Sequence, residues 1–374
     1  MLSSMYPRNF STYQEFIDYY FNHQREFDMP DIIKAYRKFP NQDPNIAIAL
    51  DKLSDNAYKQ LYDQLMYSGS FVSLDNQMHA ETSTLQYVMT YNDHVEFHIY
   101  YHEILPININ TLYAIFDIVK CIAQQSRKTV ISFDTRPRVT LFMGKQKKYI
   151  NPTESVIGPL NINSGVTNIA HHTVGVWREE EATKVLIHEL IHLFHLDRIN
   201  DHNSFEQLEN VISNNFCMHE MATDSPNESY TELLAVLIHS MIISEQFSTP
   251  YHAIITHEIK FSLLQISKLM KHYNITRSGD LINPTECLVR MNLQTSVISY
   301  FIIKLLLLVN ITTTLEFIGS NPYLNNKADK FADLIETLLQ RDYHIIDTYL
   351  AAFNSLPADS DVFVARTGRM TVFG

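Results

Sequence analysis

The chain has 374 residues, 45% of them hydrophobic, enough to bury one substantial core and to divide into two subdomains. Nine glycines and thirteen prolines are few for that length, which argues against long flexible linkers. A formal net charge of -12 sets aside a nucleic-acid backbone or an anionic membrane as the main partner.

Residues 1–16 lack an apolar run after a basic start, so no secretory signal is expected. Residues 1–84 read as a helical N-terminal region, with amphipathic pieces at 12–27 and 56–69. From Leu85 the period changes to two: residues 86–102 alternate on both sides of Asn92-Asp93 and predict a β-hairpin. A helix is expected over 109–125, strands over 129–134 and 138–144, turn residues over 161–168, and one more short strand over 172–177. After Trp177 the pattern is helical, at 179–197, 230–244, 259–272, 295–310 and 328–339. The fold class is therefore α+β, with a small sheet and an active-looking helix in 85–197 and a helical subdomain in 198–374.

Several features have plain explanations. The basic run at 144–149 is short and suits a solvated turn. The acidic run Glu179-Glu180-Glu181 complements a helix dipole. Cys121, Cys217 and Cys287 are odd in number and fit no metal spacing, as buried or free thiols in a reducing compartment would. The most apolar segment, 297–309, is thirteen residues long and contains Lys304, whereas a bilayer span needs about 20 apolar residues. A soluble, cytoplasmic protein is expected.

The stretch Lys184 to Asp197, KVLIHELIHLFHLD, is one apolar helix bearing three histidines and a glutamate. His188 and His192 stand at i and i+4, so both imidazoles share a helical face and can reach one ion. Glu189 lies beside that ion, placed to take a proton from water rather than to bind. Unpaired burial of such groups costs roughly 2–7 kcal/mol each, so a metal or a hydrogen-bonded core pair must satisfy them. His195 shares the stripe, but a rise of about 1.5 Å per residue puts it about 10 Å from His188 along the axis, so it reads as a packed or rim histidine. A third ligand must come from elsewhere. Glu228 and Glu232, four residues apart on one face of an apolar helix, supply a carboxylate ligand and a partner for the outer N–H of a histidine. The competing explanation is two solvated acids at a helix start.

HELIH followed by NESYTE resembles the gluzincin branch of the zincin metallopeptidases, whose second motif reads N-E-x-x-x-D or N-E-G-x-T-E. The resemblance implies a zincin-like fold, Zn2+ held by His188, His192 and Glu228, Glu189 as general base, and Glu232 supporting a ligand from outside. It also implies a peptide or protein substrate. Residues 193–227, thirty-five in all, separate the two motifs, which requires an insertion to loop out. Glu232 replaces the commoner aspartate, which leaves open that Glu232 is the ligand and Glu228 is not. Over residues 160–374, NINSGVT, NESYTELLA and RTGRMT also resemble uncharacterised metallopeptidase-like proteins of large nucleocytoplasmic DNA viruses.

An oxyanion donor of the family's kind would be a downstream Tyr, His or Arg; Tyr230, His257, Tyr300 and Arg366 qualify by type. The strand at 174–177 resembles the edge strand with which zincins pair an extended substrate. His171-His172 suit a cap or a solvated turn, and His219 with Cys217 is too isolated for a second metal. Three functions are compatible with the sequence: a zinc peptidase, a deformylase-like zinc hydrolase, for which Cys121 lacks the usual context, and a non-catalytic structural or virion-associated protein.

Overall fold

A computed structural model describes residues 47–51, 85–91, 94–101, 109–127, 133–220, 222–282, 290–347 and 366–373. Six strands, β1 (Ala47–Asp51), β2 (Leu85–Tyr91), β3 (Val95–Tyr101), β4 (Arg138–Leu141), β5 (Gly165–Asn168) and β6 (Thr173–Val176), form one mixed sheet. Their order is β1-β2-β3-β4-β6-β5. The expected hairpin is β2–β3, in register from Leu85↔Tyr101 to Tyr91↔Val95. Its period-two pattern buries Val95, Phe97 and Ile99 of β3 completely. β4 runs parallel to β3, and β6 parallel to β4.

Two expectations about strands are corrected. Residues 161–168, read as turn residues, contain β5, which closes antiparallel on β6 and forms the edge of the sheet. The strand read as the edge, β6, is internal. A third difference lies at Ala47–Asp51, a strand inside a region expected to be helical. The amphipathic pieces at 12–27 and 56–69, and residues 129–132 of an expected strand, lie outside the described residues.

Besides a single turn at Pro159–Ile162, the α-helices among the described residues are α1 (Ile109–Arg127), α2 (Ala182–Leu193), α3 (His202–Asn215), α4 (Asn227–Phe247), α5 (Tyr251–His272), α6 (Lys304–Val309), α7 (Ile311–Ile318) and α8 (Ala328–Asp342). A π-helical stretch, Ile298–Ile303, leads directly into α6. α2 lies between β5–β6 and α4, with α1 also packed on it. The insertion between the two motifs carries α3, which the sequence reading missed and which packs on α8. Among the described residues no single helix is long and apolar enough to cross a membrane.

α2 ends in a Schellman-type turn. His195 takes φ 56, and the Leu196 N–H reaches back to the Ile191 carbonyl at 3.0 Å. A left-handed histidine is strained by roughly 1–2 kcal/mol, and the turn folds the chain back under the helix. His195 is thus taken off the stripe of His188 and His192.

Residues 366–373 thread through the protein. Ile150 N–H donates to Arg366 O and Gly368 N–H to Lys148 O, both at 2.9 Å. The N–H groups of Met370 and Thr371 donate to Glu181 Oε1 at 2.7 and 2.6 Å. Glu181 stands at the N-cap of α2, at the positive end of the helix dipole, but its side chain makes no cap bond. Its other oxygen pairs with Lys148 at 2.7 Å, both side chains 0% exposed, so the run at 144–149 is not simply a solvated turn. Burial works to raise the Glu181 carboxyl, but Lys148, Lys184 and Arg369 hold it below the ordinary range. Cys121 is a free, half-buried thiol, whereas Cys217 is disulfide-bonded, not the buried or free thiol expected.

The buried Lys268 ammonium donates to Thr367 O at 2.9 Å, and burial pushes its pKa down to about 7. The unfolded chain, near the ordinary value of about 10.4, binds more protons across the interval, so this group makes stability rise with pH between roughly 7 and 10. Relative to Lys268→Met, the native protein is expected to gain up to about 1.4 kcal/mol per pH unit over that window. Urea unfolding at a series of pH values tests this; parallel pH dependences would show that Lys268 is not held with a depressed pKa.

Candidate metal centre

α2 presents His188 and His192 one turn apart, and the first turn of α4 brings Glu228 against them. The two Nε2 atoms are 3.1 Å apart, and Glu228 Oε2 lies 3.1 Å from His188 Nε2 and 3.5 Å from His192 Nε2. With each imidazole proton on Nδ1, the two Nε2 atoms and the carboxylate oxygen are three acceptors facing one another. Tetrahedral coordination with bonds of about 2.0–2.1 Å would put ligand atoms about 3.3 Å apart, so the observed spacings suit a small divalent cation such as zinc. The donor set passes that test.

The outer nitrogens point at carboxylates. His188 Nδ1 lies 3.1 Å from Glu232 Oε2, and His192 Nδ1 lies 2.7 Å from Asp197 Oδ2. An Nδ1–H donated to each acid leaves the Nε2 lone pairs facing each other and Glu228. Glu228 therefore faces the two Nε2 atoms, while Glu232 stands at the outer nitrogen of His188. Neither acid is solvated: the Glu232 side chain is 0% exposed and that of Glu228 18%.

Each supporting acid is held in turn. Glu232 bonds Lys184 Nζ, with Lys304 Nζ 3.6 Å from its other oxygen. Asp197, delivered by the turn at His195, also accepts from Asn227 Nδ2 at 3.1 Å. Burial tends to raise the Glu228 and Glu232 carboxyls, but the histidines around the first and Lys184 and Lys304 around the second hold both well below the carboxylate range. Burial likewise opposes charge on His188 and His192, yet the surrounding carboxylates raise both. The field at the cluster favours positive charge.

Glu189, next to His188 on α2, turns towards the edge strand β5. Its Oε2 accepts from Thr167 Oγ1 of β5 at 2.7 Å, and the same hydroxyl touches Glu189 O at 2.9 Å. Burial raises its pKa, opposed mainly by the two histidines. Gly165 gives it room: a Cβ there would sit 2.6 Å from Glu189 Oε1 and 2.7 Å from Val185 Cγ1.

Of the four residues proposed by type as oxyanion donors, Tyr300 reaches the cluster. Its hydroxyl is 3.2 Å from Glu228 Oε2 and its ring centroid 5.9 Å from that of His188. Asp224 fixes the π-helical stretch that carries it, accepting from Ile298 N at 2.8 Å and from the Ser299 hydroxyl. Tyr230 donates to Pro322 O, His257 packs on Phe373, and Arg366 is exposed on the C-terminal segment. His172 contacts Thr135 in the β5–β6 connection. Asp197, Asn227 and Thr167 were missed. Asp197 had one available signal: a ligating histidine needs a partner on its outer nitrogen, and the reading supplied one for only one of the two.

No family model matches this chain, and no solved structure does. Over 216 residues it is 26% identical to an uncharacterized protein of Acanthamoeba polyphaga mimivirus, a match covering 53% of this chain and 52% of that protein. The chain spans about half the length of this curated relative, and the similarity agrees with the viral resemblance carried by its motifs.

Proposed function

We propose that this protein is a zinc-dependent metallopeptidase with a zincin-like arrangement, in which a helix bearing the histidines packs against the edge of a mixed sheet. One observation carries the reading: three ligand atoms converge at 3.1–3.5 Å, while Glu189, one residue from a ligand, is kept out of the cluster by Thr167. A purely structural site needs ligands but no such glutamate.

His188, His192 and Glu228 would hold the ion, which supplies Lewis acidity for polarising a carbonyl and acidifying water. Glu189 accepts a proton from the attacking water and returns it to the leaving amine. Burial, by raising its pKa, suits a base that must also give its proton back. Tyr300 stands beside the cluster, where its hydroxyl can donate to the developing oxyanion. No strand among the described residues pairs with the outer side of β5, so its backbone can align an extended peptide across Glu189.

Purified protein is expected to hold about one zinc per chain. His188→Ala should lose it, and Glu189→Gln should keep it while peptide hydrolysis falls by about 10²–10⁴. Metal-free folded protein, or bound zinc without turnover of any peptide library, would sink the reading, the latter in favour of a structural role. Asp197→Ala is expected to weaken zinc binding about 10- to 100-fold, measured by chelator competition; unchanged affinity would mean the His192–Asp197 contact does not tune the site. Gly165→Ala should lower kcat without releasing zinc, since the new Cβ displaces Glu189. Full activity in that variant would place the base elsewhere.

A further inference from the structure

Two stretches far apart in sequence meet at the metal cluster. One leads from Met218 to the ligand Glu228, the other from Met291 to Tyr300. Met218 and Met291 form a parallel bridge, and the Thr223 N–H donates to Leu293 O at 2.9 Å. Nearer the cluster side chains join in, with the Ser225 N–H donating to Ser296 Oγ at 3.1 Å. Asp224 then meets the head of the π-helical stretch. Its Oδ2 accepts from Ile298 N at 2.8 Å and from Ser299 N at 3.4 Å, and its Oδ1 accepts from the Ser299 hydroxyl. The ladder closes where the Tyr300 hydroxyl lies 3.2 Å from Glu228 Oε2.

The first N–H groups of a helix have no partner within it. Val297, at the N-cap, makes no side-chain cap bond, so Asp224 supplies from across the ladder the acceptor that the local sequence lacks. The Tyr300 N–H comes next and closes on Ser296 O at 2.8 Å. Turns of the i→i+5 kind are rare and gather at functional sites, and this one carries Tyr300. The clamp also reaches the ligand. Ser225 O accepts from the Glu228 N–H at 3.0 Å and lies 3.1 Å from Ser299 Oγ. One carbonyl thus touches both the turn that carries Glu228 and the turn that carries Tyr300. We infer that Asp224 is a positioning residue: by capping Ile298 and Ser299 it holds the Tyr300 hydroxyl against Glu228 at the metal cluster. Asp224 acts through Tyr300 and not on the ion. The use of Tyr300 as an oxyanion donor rests on the peptidase reading above, whereas its hold on Glu228 does not.

Asparagine separates placement from charge at this position. Its Oδ1 can accept both backbone N–H groups while its Nδ2 donates to Ser299 Oγ, whose own proton then turns to Ser225 O. The test measures zinc affinity by chelator competition in the full-length protein, alongside hydrolysis of a peptide library. Tyr300→Phe is expected to weaken zinc binding about 10- to 100-fold, as loss of a group that steadies a ligand does. Asp224→Ala should weaken it to a similar degree, and Asp224→Ala/Tyr300→Phe no further than Tyr300→Phe alone. Asp224→Asn should stay within about threefold of the native affinity. In hydrolysis, kcat should fall about 10²–10³ in both Tyr300→Phe and Asp224→Ala, with KM little changed. If Asp224→Ala does not fold, Ser299→Ala carries the same comparison: a smaller loss that vanishes in a Tyr300→Phe background. Native zinc affinity in Asp224→Ala, or an equal loss in the Tyr300→Phe background, would overturn the role. So would damage from Asp224→Asn matching that from Asp224→Ala, since charge and not placement would then matter. The expected zinc pattern without turnover of any peptide would keep the role and overturn the peptidase reading. Turnover and zinc affinity both indifferent to Asp224→Ala would do the reverse, and folded protein that binds no zinc would overturn both.

Discussion

The outer nitrogens of His188 and His192 rest on Glu232 and Asp197, and much of the fold serves to keep those two acids ionised and still. Imidazole is ambidentate, and the nitrogen that carries the proton decides which one can offer a lone pair. Fixing both Nδ1 atoms on carboxylates removes that ambiguity before any ligand arrives. The requirement propagates outward: Glu232 needs Lys184 of α2 and Lys304 of α6, and both helices pack on α4. Asp197 needs the strained turn at His195 and the amide of Asn227 at the head of α4.

So many buried charges are seldom chosen for stability alone. A buried ion pair offsets its desolvation only when geometry is good and the remaining valences are filled. Here residues 366–373 help fill them: backbone N–H groups for Glu181, the Thr371 hydroxyl for Glu258, and carbonyls for Lys268 and Lys304. The segment acts as a strip of fixed dipoles inserted where water would otherwise be required. Its Met370 also touches Lys184 Nζ through sulfur at 3.5 Å, so the same strip reaches α2, the helix that bears both histidines.

What was legible in the sequence was whatever depends on spacing along one element. Three or four residues on a helix define a face, so His188, His192, Glu228 and Glu232 could be brought to one place, and alternation around Asn92-Asp93 gave the β2–β3 hairpin. Strand order is not a local property: β6 was read as the edge because it precedes α2 in sequence, while the true edge, β5, is four residues rich in turn-forming types. Asp197 stayed hidden because a left-handed residue reversed the chain just before it. Lys148 looked solvated because its burial depends on a segment more than two hundred residues downstream. Tyr300 was named by type alone, since nothing in ISYFII announces a π-helical turn.

The threading of the C-terminal segment also orders events in time. Glu181 receives its backbone donors from residues 189 and 190 positions later, and Lys184 its sulfur neighbour from 186 positions later. Chains emerge from the ribosome N-terminus first, so α2 and its histidines are made long before the strip that completes the wall behind them. A nascent chain therefore carries HELIH before the partners that residues 366–373 give to Glu181 and Lys184 exist.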